Sequence, residues 1–299
     1  MESQQASSAG EKQFVTSLLE TVDVTTGERR VHAKFDYVIE APNWLGDGET
    51  LIYNSRGRLY RFSLATGRST PIETWHATAC NNDHVLSPDH TRIAVSHHTK
   101  EDGRSRIYIL SIDGSTAPVL ITPLGPSYLH GWSPDGQTLA YCAERDGEYD
   151  IYTIPAQGGV ETRLTDAAGL NDGPEYAPDG QSIWFNSVRS GLMQVWRMKA
   201  DGSEQTQMTF ERSNNWFPHV SPDGRSVAYI SYREGDVAPG DHPPNKQVAI
   251  RVMSASGKDV RTLVELFGGQ GTLNVNSWSP DSQRLAFVSY ELRDETSGA

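Results

Sequence analysis

Four side chains able to ligate a metal or carry a proton, His84, His130, Glu175 and His219, each lie just ahead of a recurrent Pro-Asp turn. The turns are LSPDH (86–90), WSPDG (132–136), YAPDG (176–180) and VSPDG (220–224). Aligned on the hydrophobic residue before each turn, His84 and His130 share one column with Pro42, Pro174, Pro218 and Asn276. Glu175 and His219 share the next with Asn43, Val85, Gly131 and Ser277. Imidazole and carboxylate converging in this way suit a divalent transition metal, with His84, His130 and His219 as ligands. Neutral imidazole also serves as a general base near neutral pH, which makes all four candidate catalytic groups. The competing account is that they satisfy backbone groups of neighbouring strands. Adjacent columns also point to opposite sides of a strand, which counts against all four meeting.

Ligand-contacting candidates surround these four. Asn82 and Asp83 stand beside His84 in NNDH (81–84), and Asp172, Trp216 and Asn274 lie two columns out. The amides and carboxylates could be oxygen ligands for calcium, or turn-capping groups at loop ends. Trp216 offers a face for a sugar ring, or packs beneath an insertion at 233–246. His242 sits in that insertion, in GDHPPNK, where two prolines stiffen a segment placed to cap a pocket. Gln270 lies in GGQG, which lacks the Lys and Ser/Thr of a phosphate-binding loop.

The elements that must position these residues come from a repeat. Between Asp47, Asp89, Asp135, Asp179, Asp223 and Asp281 the intervals are 42, 46, 44, 44 and 58 residues. A period in the mid-forties with four strand-like segments per repeat is a propeller signature. Ser-Pro-Asp-Gly suits a type I turn, and alternating strands such as TLIYNS, TRIAVSH and SIWFNSV follow it. The last repeat stops near Tyr290 after two strands, while QFVTSLLETVDVTTGERRVHAKF before the first reads as a third and fourth. The expected fold is therefore an all-β, six-bladed propeller with four antiparallel strands per blade. Its ring closes where Val15–Val22 pairs with Arg284–Tyr290. Residues 12–292 form one domain, with a disordered tail at 1–11 and a second tail at 293–299.

Chain direction sorts the loops onto two faces. One holds the stereotyped turns; the other holds irregular loops that carry every candidate named above, at the mouth of a central channel. The net charge of −12 argues against nucleic acid and anionic membrane as partners. No apolar run is long enough to span a bilayer. MESQQASSAGEKQF lacks the pattern of a secretory signal, and Cys80 and Cys142 are too few for a disulfide framework, so the expected location is cytoplasmic.

The repeated hydrophobic-SPDG turn, followed by an apolar strand and an Ile/Val-Tyr/Trp strand, resembles the TolB-like propeller repeat over nearly the whole chain. The same repeat occurs in prolyl oligopeptidases and dipeptidyl peptidases, but there is no G-x-S-x-G elbow here. HGWSPDGQTLAY (130–141) and SHHTKEDGRSRIYIL (96–110) are more faintly similar to oligogalacturonate lyases, propellers that use histidines with a divalent metal. The expectation is a polar axial pocket for a small hydrophilic, sugar-like molecule, with His- or metal-assisted lyase or hydrolase chemistry. The alternative is a scaffold that binds a protein or peptide over the irregular face.

Overall fold

The computed structural model describes residues 14–293. All the regular structure among them is strand, gathered into six antiparallel sheets arranged as the blades of a propeller. Blade two shows the plan: Cys80–Leu86 innermost, then Arg92–His98, Ser105–Ser111 and the two-residue edge Val119–Leu120. Blades three and four also end on two-residue edges, Thr162–Arg163 and Thr206–Gln207, so little unpaired backbone is offered to another chain.

The Pro-Asp turns are held by their own side chains. Ser87 Oγ donates to the Asp89 carboxylate at 2.6 Å, and the Thr91 N–H donates to the same oxygen at 3.1 Å. The Ser87 hydroxyl, with the Thr91 backbone and hydroxyl, holds the Asp89 carboxyl down at about 2. The fourth turn residue adopts left-handed backbone, with φ of 68° to 71° at Gly48, Gly136, Gly180 and Gly224. His90 and Ser282 take the same conformation with a side chain present, at 55° and 61°. The tryptophan ahead of the turn ties one blade to the last: Trp132 Nε1 donates to the Val85 carbonyl and Trp278 Nε1 to the His219 carbonyl, each at 3.0 Å.

The innermost strands of blades one to five share a feature that governs the site. Each breaks its pairing register shortly before the turn, between Glu40 and Asn43, Cys80 and His84, Leu129 and Gly131, Asp172 and Glu175, and Trp216 and His219. In three of them a residue inside the break has positive φ: Ala41 at 52°, Gly173 at 61° and Phe217 at 53°. A bulge of this kind re-aims the side chains around it.

The sixth blade closes the ring. Strand Phe14–Asp23 pairs along its length with Arg284–Arg293, placing Val15 opposite Leu292 and Val22 opposite Leu285, and takes Arg29–Phe35 on its other side. The innermost position of this blade is thinner: Trp278 bridges Leu285, and the Ala286 N–H donates to the Ser277 carbonyl at 2.9 Å. Ahead of it Gly269 and Gly271, both at positive φ, and a turn from Gly269 to Thr272 replace a regular strand. Leu19, Ile39, Trp44, Leu51, Ala286 and Val288 are buried together at the seam between blades six and one. The tail expected at 1–11 lies outside the described residues, as do 294–299; Arg293 ends the last strand.

Candidate functional site

A cavity of about 520 Å³ opens on the irregular face. Blade two supplies Asn81 and Asp83, blade three Tyr128, His130, Cys142 and Tyr149, and blade four Asp172, with Leu170 just before it. Phe217 comes from blade five, Gly240 and His242 from the 233–246 insertion, and Gln270 and Asn274 from the entry to blade six. Asp83, His130 and Asp172 are each less than a tenth exposed, so three titratable side chains from three blades meet in one enclosed space.

Their electrostatics differ. His130 Nε2 lies 3.3 Å from Asp172 Oδ1. Burial works against the imidazolium, but the Asp172 hydrogen bond and the charges of Asp83 and Asp172 outweigh it and raise His130. Burial presses the Asp172 carboxyl upward, yet the His130 hydrogen bond and charge hold it below the ordinary carboxylate range. Asp83 goes the other way: burial raises its carboxyl, with His130 only partly opposing and Asp172 adding to the rise. Its side-chain donor is the neutral amide of Asn81, at 2.7 Å. Two carboxyls of one cavity are thereby pushed apart, the pattern by which proteins divide acid from base. The Cys142 thiol is pushed well up by burial and donates to the Asn171 carbonyl at 3.3 Å, which leaves it a poor nucleophile.

Aromatic rings frame these groups. Phe217 stacks on His130 with centroids 5.6 Å apart, and lies edge-to-face with His242 at 5.2 Å. The Phe217 N–H donates to Asn186 Oδ1 at 3.0 Å, which helps hold its positive-φ backbone. The insertion is tied in place through His242: its Nδ1 bonds Gln270 Oε1, Gln270 Nε2 donates to Asn82 Oδ1, and Asn82 Nδ2 donates to Glu40 Oε1. Because the Gln270 amide nitrogen is spent on Asn82, its oxygen is the acceptor and His242 Nδ1 carries the proton. Asn274 Oδ1 accepts the Gly271 N–H at 2.7 Å, while its Nδ2 has no partner.

Of the candidates read from the sequence, the cavity brings together Asp83, His130, Asp172, His242, Gln270 and Asn274. It does not bring in His84, Glu175, His219, Asn82 or Trp216. His84 is wholly enclosed beside the backbones of Ile52 and Ala41, with neither ring nitrogen hydrogen-bonded, and burial drives it down to about 4. Glu175 and His219 pair with each other at 2.6 Å; Glu175 also accepts from the Val220 N–H and from Asn276 Nδ2, and His219 Nε2 faces the Leu273 carbonyl at 3.1 Å. This pair joins blades four, five and six, and Glu175 lines a second hollow of about 310 Å³ on the turn face, among Trp44, Trp132 and Trp278, which shares His130 with the cavity. Trp216 is fully buried, 4.3 Å from the His242 ring centre, and packs under the insertion. Asn82 serves as a strut. The expected three-histidine metal set is therefore not assembled, and no three His, Cys, Asp or Glu side chains among the described residues are grouped to hold a metal. The sequence reading passed over Tyr128, Tyr149 and Phe217, although PSYLH, ERDGEY and NNWFPH all lie in the irregular loops.

The fold and its details have close counterparts. The family model described as the TolB beta propeller domain matches residues 84–259. An uncharacterized protein of Agrobacterium fabrum is 47% identical over 285 residues, covering 95% of each chain. The solved structure of a TolB candidate from Agrobacterium tumefaciens has a TM-score of 0.88 at 45% identity, covering 93% of this chain and 99% of that one. TolB from Acinetobacter baumannii (TM-score 0.67, 19% identity, 85% and 64% covered) shares the fold. So does an oligogalacturonate lyase solved with manganese (0.54, 15%, 87% and 75%). In repeat, blade plan and sequence alike, this chain belongs to the TolB β-propeller family.

Proposed function

We propose that the cavity on the irregular face binds a small hydrophilic molecule, with His130, Asp172 and Asp83 as its acid–base groups. The observation that carries this reading is the meeting of these three buried titratable side chains, each from a different blade, in one cavity of about 520 Å³. That volume suits a metabolite, and the mixture of aromatic walls with a few convergent polar groups is typical of small-molecule sites. Asp172 orients His130 and, with the Asp83 charge, favours its protonated form, which suits His130 as the proton donor of the set. Asp83, the more readily protonated carboxyl, is the group that exchanges a proton with a ligand. In a lyase or hydrolase acting on a carbohydrate-like substrate, such a pair would protonate a leaving oxygen and remove a proton.

The test is a thermal-shift and native mass-spectrometry screen of sugars, amino sugars, sugar acids and polyols against the wild type, His130→Gln and Asp172→Asn. The expected result is a ligand whose binding falls by about tenfold or more in both variants, the effect of losing a hydrogen bond to a charged group. Ligands that bind the variants and the wild type alike would remove the cavity from consideration. A second reading is a peptide platform, favoured by the open groove of about 360 Å³ between Gln270 and residues 240–244 beside the cavity. It predicts protein or peptide binding that both substitutions leave untouched.

A further inference from the structure

We infer that the molecule selected by this cavity is a small cationic amine, a primary ammonium or guanidinium, bearing a hydroxyl or carbonyl oxygen; this rests on the small-ligand reading above and narrows it. The charges lining the cavity are unequal in a specific way. Asp172 has His130 in contact at 3.3 Å, whereas no Lys or Arg lines the cavity, the side-chain donor to Asp83 is the neutral Asn81 amide, and the His130 charge only partly offsets the burial of Asp83. A buried carboxyl with no charged group in contact is costly to ionise, and a ligand cation beside it offsets that cost. A neutral sugar would leave Asp83 unpaired, and a sugar acid would add a third carboxylate to Asp83 and Asp172.

The walls suit the same ligand. Tyr128, Tyr149 and Phe217 line the same cavity as the carboxyl groups, and aromatic side chains attract an ammonium or guanidinium through their ring quadrupole. Asn274 accounts for the oxygen. It is 1% exposed, its Oδ1 is fixed by the Gly271 N–H at 2.7 Å, and its Nδ2 is left as a donor without an acceptor. Because the Gly271 bond fixes which end is oxygen, the free end can only donate. A ligand oxygen at that nitrogen removes the buried orphan. The predicted molecule thus has a cationic end for Asp83 and an oxygen for Asn274, within a size that the 520 Å³ cavity admits.

Calorimetric titration near neutral pH with glucosamine, agmatine and ethanolamine, against glucose and glucuronate, tests this. One or more of the amines should bind, and glucose and glucuronate should bind at least about tenfold more weakly than the best amine. Asp83→Asn, which keeps the side-chain shape, should weaken that amine about tenfold or more. Tyr149→Leu, at the half-exposed rim and away from the buried network, should weaken it severalfold and serves if Asp83→Asn fails to fold. Equal or tighter binding of glucose or glucuronate, no binding of any amine, or amine binding untouched by both substitutions overturns the inference. If the broader screen yields a neutral or acidic ligand sensitive to His130→Gln, the site stands and the cationic assignment alone falls. If it yields nothing sensitive, both fall.

Discussion

His84 and His130 occupy the same place in their repeats and end with opposite acid–base behaviour. His130 has an anion beside it and is raised; His84 is wholly buried with no charged partner, only the Ile52 and Ala41 backbones near its ring, and is driven from 6.5 to about 4. The partner, not the residue type, decides. The consequence for stability has a definite sign. Between pH 4 and 6.5 the unfolded chain binds a proton at position 84 that the folded chain refuses. Stability therefore rises with pH across that window, and acidifying through it costs about 3 kcal/mol from this group. Urea unfolding at several pH values should show that component disappear in His84→Leu, while ligand binding at the cavity is retained. An unchanged pH slope would mean that His84 finds a partner on protonation. Phe217 shows strain used at the same scale: its left-handed backbone, worth roughly 1–3 kcal/mol for a non-glycine residue, sets a ring between His130 and His242.

At the level of strands and turns, the repeat was legible from residue types alone: proline and aspartate punctuate, alternation follows, and the blades form as expected. The site was legible only in part, and the inner-strand bulges explain why. Column counting assumes that side chains alternate strictly along a strand. A register break between Asp172 and Glu175, or between Trp216 and His219, resets that alternation, so Asp172 enters the cavity while Glu175 and His219 are turned toward each other. In blade two the break falls between Cys80 and His84, and Asp83 rather than His84 reaches the cavity. A bulge whose residue is Ala or Phe rather than Gly leaves no signature in the sequence. The turns give an opposite case, where position four wants glycine and Ser282 occupies it at φ 61°. Ser282→Gly should stabilise the protein by about 0.5–1 kcal/mol, the left-handed penalty less the added freedom of the unfolded chain. Thermal or urea unfolding would read it, and a loss of stability would show that the Ser282 Oγ bond from the Asp223 N–H, at 3.1 Å, matters more than the backbone.

Across the whole molecule, the seam between strand Phe14–Asp23 and Arg284–Arg293 holds the ring shut, and Leu19 is its fully buried plug. Leu19→Ala should cost about 3 kcal/mol, as deletion of a buried aliphatic side chain does, and lower the urea midpoint. If the ring tolerated the change with no shift, closure would have to come from elsewhere. The cavity depends on this seam because Gln270 and Asn274 lead into the blade that it completes. The seam also sets a timetable during synthesis. Phe14–Asp23 leaves the ribosome well before its partner Arg284–Arg293, so the first strand waits unpaired on that side while the five intervening blades are translated. Until that mate emerges, the nascent chain is vulnerable to mispairing.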